Sequence, residues 1–165
     1  EKGRRQTTTT THTRRNATTR KHQMLAKLCE TNVPWGEKRS ALIGVSALCY
    51  MVPFAVDFDV RRRFLWLLQT IVCFWSDYLD SGRWAPSHLV DKAVASSLTA
   101  YVLRLGLLNL GLLVVLVLAA PTFACFFASA RRRRRADFTG YAIFHSLWHL
   151  SSGLACAYTL LSCAV

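Results

Sequence analysis

The chain has 165 residues, of which 52% are apolar, and it carries a formal net charge of +12. Soluble domains of this size rarely combine so large an apolar fraction with so strong a basic charge. The two properties are also separated along the chain, since ten of the 21 Lys and Arg residues lie within residues 1–39. This separation argues against a single soluble domain and favours a membrane protein with a basic N-terminal extension.

Residues 1–39 form a Thr- and Arg-rich extension with few acidic residues to balance its charge. We therefore expect it to contact an anionic partner, and lipid head groups, RNA or an acidic protein surface would each serve. A basic, acid-poor beginning is also typical of sequence that flanks an organellar transit peptide, so the inner membrane of an organelle is one location to consider. The candidate contacts in the extension are Arg4, Arg5, Arg14, Arg15 and Arg20.

Five apolar segments follow, at residues 40–56, 64–80, 87–104, 106–130 and 138–164. A helix needs about 20 residues to cross the hydrocarbon of a bilayer, with about 17 as the short limit. The first three segments are close to that limit, and the last two are long enough to span with tilt. Residues 40–165 are thus predicted to form an all-α polytopic bundle of about five transmembrane helices joined by short loops.

A run of five arginines at residues 131–135 lies in the last predicted loop. If the extension and this loop share a side, most of the basic charge lies there, which places the N-terminus on the cytoplasmic or matrix-like face. The run is most simply an anchor to anionic lipids, and because no aromatic stacking platform surrounds it, a role in nucleic-acid binding is not favoured. Its members are Arg131, Arg132, Arg133, Arg134 and Arg135.

Ionisable residues inside the apolar segments are few, and such groups are expensive in a membrane unless they are paired or bind a metal. His145 and His149 are four positions apart, so they lie on one face of a helix. They could bind one metal ion or make structural hydrogen bonds to neighbouring helices, but one helical turn cannot supply both axial ligands of a haem. The full set is Asp77, Asp80, Asp91, Lys92, His145 and His149.

The six cysteines include no CxxC pair, and five of them lie in apolar runs. This distribution is typical of small buried apolar residues and not of a disulfide framework or a zinc knuckle.

Several of these polar positions resemble the pattern of the CREST superfamily, which includes alkaline ceramidases, adiponectin and progestin receptors and myomaker-like proteins. That family places a Ser four residues before a His at the end of the second helix, an Asp on the third helix and HxxxH in the last. The matching positions here are Ser76, Asp80 in place of the His, Asp91 in "HLVDKAVAS", and His145 and His149 in "FHSLWH".

The resemblance implies a zinc site in which Asp80, His145 and His149 are ligands, while Ser76 and Asp91 orient or activate water. Two departures bear on this expectation: the family has seven membrane helices where five segments occur here, and a carboxylate replaces one histidine ligand. Our first hypothesis is therefore a non-catalytic CREST-like accessory subunit of a large membrane complex, tethered to other subunits by its basic tail, with an organellar, energy-transducing complex as one setting. The alternative is a zinc-dependent membrane hydrolase of lipid amides or esters.

Overall fold

The structure is a computed structural model that describes Cys29 and residues 33–164. All the regular elements in this part of the chain are helices, which confirms the all-α prediction. The first helix contains a 3-10 turn at Ala47–Tyr50, and the second continues into a π-helical turn at Trp75–Leu79. The five helical stretches are α1 (Ala41–Val56), α2 (Val60–Phe74), α3 (Ser87–Asn109), α4 (Leu112–Arg134) and α5 (Phe138–Ser162).

Two of the helices begin at an aspartate that caps exposed backbone donors. The side chain of Asp59 accepts hydrogen bonds from the backbone N–H groups of Arg61 and Arg62 at the start of α2. Asp137 accepts one from the N–H of Gly140 at the start of α5. Such caps satisfy donors that have no partner within the helix, so these two residues fix where α2 and α5 begin.

Helix α5 is central to the arrangement, because it contacts α1, α3 and α4. Helix α1 lies between α2 and α5 and packs against both. The shared core is formed by buried side chains of α1, α2, α3 and α5, among them Ala47, Trp66, Cys73, Leu98 and Leu160.

Residues 33–39 pack against the end of the bundle where α2 ends and α5 begins. The ring of Trp35 meets that of Phe138 edge-on and lies tilted against that of Tyr141, with ring centroids 5.3 and 4.8 Å apart. The guanidinium of Arg39 donates to the backbone carbonyl of Leu79 at 2.8 Å. These contacts join residues 33–39 to the end of α2 and the start of α5.

One helix in the described part of the chain, α4, is long and apolar enough to cross a membrane. Its most apolar window has a mean hydropathy of 2.4, and only 11% of that window is buried inside the bundle. The exposed apolar side chains of α4 include Leu113, Val117 and Phe127. Most of the surface of this helix is therefore left for contact with lipid or with another protein.

Candidate functional site: a buried histidine–carboxylate cluster

The two histidines of α5 converge on one carboxylate oxygen. The Nε2 atom of His145 lies 3.0 Å from Oδ2 of Asp77, and Nε2 of His149 lies 3.4 Å from the same atom. Both histidines are buried, and Asp77 comes from the π-helical turn after α2. The helical spacing thus places both imidazoles on one face, as predicted, and the carboxylate that they meet belongs to Asp77.

The opposite nitrogen of His149 is held by α1. Its Nδ1 atom lies 2.8 Å from the hydroxyl of Ser46, and that hydroxyl lies 2.7 Å from the backbone carbonyl of Ile43. A serine has one proton to donate. A carbonyl only accepts, so the hydroxyl of Ser46 donates to Ile43, and Nδ1 of His149 donates to that hydroxyl.

A close approach of two helices makes the contact between Ser46 and His149 possible. A Cβ atom added to Gly153, one turn after His149, would lie 2.5 Å from the backbone oxygen of Cys49. Only glycine therefore allows α5 to lie this near to the 3-10 turn of α1.

A thiol completes the group of potential ligands. The sulfur of Cys73 lies 3.6 Å from Oδ2 of Asp77 and 3.6 Å from Nε2 of His149. A tetrahedral zinc ion, with bonds of about 2.3 Å to sulfur and about 2.0 Å to nitrogen or oxygen, would separate such donors by about 3.3 to 3.6 Å. Cys73, Asp77 and His149 thus form a group with the donor types and spacing that a metal ion requires.

We call Ser46, Cys73, Asp77, His145 and His149 the polar cluster. Three aromatic residues enclose its histidines: the ring centroids of Tyr50 and Trp148 lie 5.6 and 5.2 Å from that of His149, and Tyr141 lies 5.0 Å from His145.

The predicted ligand Asp80 lies elsewhere. In the structure Asp80 ends the π-helical turn and accepts a hydrogen bond from the hydroxyl of Ser87 at 2.5 Å. The assignment of Asp80 depended on a dip of the following loop or on continuation of the second helix past Asp80, whereas in the structure the helix ends there. Asp77 lies three positions earlier and faces the histidines instead.

Ser76, predicted to orient water, pairs with a histidine outside the polar cluster. Its hydroxyl lies 2.7 Å from Nδ1 of His88, and Nε2 of His88 lies 3.0 Å from the backbone carbonyl of Arg83. A carbonyl only accepts, so Nε2 of His88 carries a proton and donates it to Arg83. Both side chains are buried. The pair joins the end of α2 to the start of α3.

Asp91, the other predicted catalytic residue, is bound by a glutamine. The Nε2 atom of Gln69 on α2 donates to Oδ1 of Asp91 on α3 at 2.8 Å. The described contacts therefore connect Asp91 to Gln69 and not to the two histidines.

A separate cavity of about 260 Å³ lies between α3, α4 and α5. We call it the α4 cavity. Tyr50 and Trp148 belong both to its wall and to the aromatic shell of His149. None of the five residues of the polar cluster, nor Ser76, lines it. One aromatic layer thus separates the cavity from the potential metal ligands.

The predicted basic contacts fall into two groups. Arg131 to Arg135 are exposed at the end of α4, where Arg132 pairs with Asp137 at 2.8 Å. Hydrogen bonds from the N–H of Gly140 and from Arg132 hold the pKa of Asp137 below its usual range. The arginines predicted from the extension, Arg4, Arg5, Arg14, Arg15 and Arg20, lie outside the described residues.

Comparison of the chain with protein-family models, curated proteins and solved structures finds no match.

Sequence reasoning singled out His145 and His149 but did not assign Ser46, Cys73 or His88 to a site. One usable signal was present, because Cys73 and Asp77 are four positions apart and therefore share a helix face with each other as the two histidines do. Two such i, i+4 pairs on different apolar segments predict that the two helix faces that carry them pack against each other. No comparable signal marks Ser46, since its role depends on how closely α1 approaches α5.

Proposed function

We propose that this chain is a non-catalytic, CREST-like membrane subunit, and that the polar cluster is a structural tie between its helices. The observation that carries this proposal is the enclosure of the cluster. Cys73 and His149 are each 1% exposed, and the residues of the cluster take no part in the wall of the α4 cavity. A hydrolase must bring a substrate and water to its reactive centre, and enclosure of this kind opposes such access.

Two further features support a role inside a membrane assembly. Helix α4 exposes an apolar surface along its length, and a basic run follows at its end. Such a helix suits contact with lipid or with an apolar surface of a partner, while the arginines suit anionic head groups. We further propose that the bundle has about five membrane spans and that its N-terminus lies on the cytoplasmic or matrix-like side. An organellar energy-transducing complex is one setting for such a subunit. Residues 1–39 would act as the tether.

The subunit role can be tested on the full chain in its native membrane. After mild solubilisation, the chain should migrate in an assembly far larger than its own mass of 18.6 kDa. If residues 1–25 tether the chain, then their deletion should release the chain from the assembly at a salt concentration that leaves the full chain bound. Replacement of Arg131 to Arg135 by Gln tests the second basic segment in the same way. Migration as a free monomer before any change would overturn the proposal.

The second candidate function is a zinc-dependent hydrolase of lipid amides or esters, and the donor spacing in the cluster favours it. Cys73, Asp77 and His149 would hold the ion, and His145 would orient the carboxylate by donating to Oδ2 of Asp77. A bound zinc ion would supply Lewis acidity and a more acidic water.

Metal analysis of the purified chain separates the two candidates. The hydrolase requires about one zinc per chain, together with hydrolysis of a fluorogenic ceramide analogue that His149→Ala abolishes. If the polar cluster is purely structural, then neither the unmodified chain nor the His149→Ala variant should hydrolyse the analogue. Stoichiometric zinc without activity would mean that the tie is a structural metal site, and Cys73→Ser should then lower the zinc content while Cys125→Ser should not.

A further inference from the structure

One face of α4 carries a continuous apolar stripe along the outside of the bundle. The buried residues Val115 and Ser129 mark the side of α4 that packs inward. With 3.6 residues per turn, positions 113, 117, 120, 124 and 127 lie on the opposite side, and all five are exposed. We call these residues the outer stripe: Leu113, Val117, Ala120, Ala124 and Phe127.

Three members of the arginine run continue this stripe. Arg131 follows Phe127 by one helical turn, and Arg134 and Arg135 follow Arg131 by three and four positions. Residues at these spacings are neighbours on one helix face. All three side chains are exposed. We call Arg131, Arg134 and Arg135 the outer arginines.

The other two arginines of the run begin on the inner side of α4. Arg132 and Arg133 follow the buried Ser129 by three and four positions, so they share its face. Arg132 donates to the carboxylate of Asp137 at 2.8 Å, and its guanidinium lies 5.8 Å from the ring centroid of Phe144. This part of the run therefore fastens the end of α4 to α5.

The outer arginines have no anionic partner among the described residues. The described ion pairs all involve other side chains, and the carboxylate closest in sequence, Asp137, is bound by Arg132. The helix dipole favours cations at this end of α4, but it acts on the inner and outer arginines alike. Like charges three and four positions apart destabilise a helix, and an anion held between them removes that repulsion. The outer face therefore suits an anionic ligand.

The distance between the two parts of this face matches the dimensions of a lipid bilayer. Leu113 and Arg131 are 18 positions apart. A helix rises about 27 Å over that length, close to the hydrocarbon thickness of about 30 Å. If α4 spans the membrane, the outer stripe faces acyl chains and the outer arginines lie at the level of the phosphates. Guanidinium groups bind phosphate through paired hydrogen bonds, and three of them on one face can engage more than one phosphate.

We propose that the outer face of α4 binds a phospholipid that carries two phosphate groups, with the phosphates held by the outer arginines and an acyl chain along the outer stripe. The inference rests on the membrane placement of α4 in the proposed function, and it adds a lipid class and separate roles for the two groups of arginines. It does not depend on whether the polar cluster holds a metal, because no residue of that cluster belongs to α4.

The test titrates lipid into the full chain in neutral detergent micelles and follows the bound lipid by native mass spectrometry. The probes have the same oleoyl chains: cardiolipin carries two phosphates, phosphatidylglycerol carries one, and phosphatidylcholine has no net charge. We expect the affinity to fall in that order, by about fivefold or more between the first two. Inorganic pyrophosphate and a short single-stranded RNA supply phosphates without an acyl chain, and they should displace cardiolipin only weakly.

Two double variants that remove the same charge locate the binding. Arg131→Gln with Arg134→Gln removes two outer arginines, and at about fivefold for each it should weaken cardiolipin binding about 25-fold. Arg132→Gln with Arg133→Gln removes the two inner arginines and should weaken binding less than about threefold, through the loss of overall charge alone. The outer variant breaks no described side-chain contact, so far-UV circular dichroism should show unchanged helix content.

Equal weakening by the two double variants would show that binding follows net charge, and would overturn the proposal. Equal affinity for cardiolipin and phosphatidylglycerol would overturn it too, as would full displacement of cardiolipin by an equal concentration of pyrophosphate or RNA. A chain that is not retained in the membrane fraction would instead overturn the membrane placement on which the inference rests.

Discussion

The polar cluster and the α4 cavity are neighbours that share an aromatic wall, yet they are built in opposite ways. In the cluster, His149 lies within hydrogen-bonding distance of Ser46 on α1 and of Asp77 at the end of α2, and His145 approaches the same carboxylate. Among the residues that line the cavity, most are apolar, and Oε1 of Gln69 and Oγ1 of Thr122 have no hydrogen-bond partner.

This contrast distinguishes the residues of the cluster, which help to specify how the helices pack, from the residues of the cavity, which line a space between the helices. Buried polar groups stabilise a structure when every member finds a partner, and each lost partner then carries a large penalty. An apolar wall tolerates small changes more easily, because side chains can shift. Substitutions should therefore be more damaging in the cluster than at the cavity.

The largest effect is expected for Asp77→Ala. This change removes the carboxylate that both His145 and His149 approach, and the loss of one partner from a buried pair typically costs about 3 kcal/mol or more. Reversible unfolding of the purified chain in mixed micelles would measure the decrease in the free energy of unfolding.

Asp80→Ala is the matched control for that experiment. Asp80 lies only three residues away, but its described side-chain bond is to Ser87. We expect a decrease of about 1 kcal/mol, as for an ordinary hydrogen bond. Equal or reversed effects of the two substitutions would restore Asp80 to the site and refute the placement of Asp77.

A smaller effect is expected where helices approach closely. Gly153→Ala places a Cβ atom against the backbone oxygen of Cys49, and a backbone cannot move aside without shifting α1 away from α5. Overpacking of this kind typically costs about 1 to 3 kcal/mol. The same unfolding measurement applies.

Gly106 provides the comparison at the cavity side. A Cβ atom there would lie 2.9 Å from Cγ2 of Val115, which is the end of a side chain. We expect Gly106→Ala to cost less than Gly153→Ala, and Val115→Ala to relieve it. If Val115→Ala gave no relief, the clash would not be the cause of the destabilisation.

Local patterns in the sequence predicted much of this architecture. The five apolar segments correspond to the five helical stretches, because apolar runs bounded by Gly, Pro and charged residues mark helices well. The facing of His145 and His149 followed from their spacing alone. The prediction of five membrane spans stays untested, because α4 is the one helix in the described part that is long and apolar enough by these criteria to cross a bilayer.

The identity of the facing carboxylate could not be predicted in the same way. Asp77 and Asp80 lie within one helical turn, and which of them meets the histidines depends on where α2 ends and on the π-helical turn at Trp75–Leu79. The partnership of Ser46 with His149 depends on a contact between residues 103 positions apart. Such features arise from packing between helices, which no local pattern encodes.

A smaller effect than those of Asp77→Ala and Gly153→Ala is expected for a carboxylate at the other end of α2. Asp57, in the turn between α1 and α2, is 4% exposed and bonds Arg62 at 2.9 Å and the indole N–H of Trp66 at 3.1 Å. Burial alone would raise the pKa of Asp57, but the bonds from Arg62, the backbone of Asp59 and Trp66 together lower it.

A folded-state pKa below the ordinary value of about 3.9 means that Asp57 stabilises the fold at neutral pH, and that this contribution disappears as the pH falls below about 4. Asp57→Asn should therefore lower the free energy of unfolding by about 1 kcal/mol at pH 7, and the difference from the unmodified chain should shrink toward pH 3. Arg62→Gln should make this pH dependence smaller, because it removes the group that favours the charged carboxylate and so brings the pKa of Asp57 in the folded chain closer to its unfolded value. A difference that stays constant from pH 7 to pH 3 would show that Asp57 acts through packing rather than charge, and the polar cluster would then be the main electrostatic tie among the described residues.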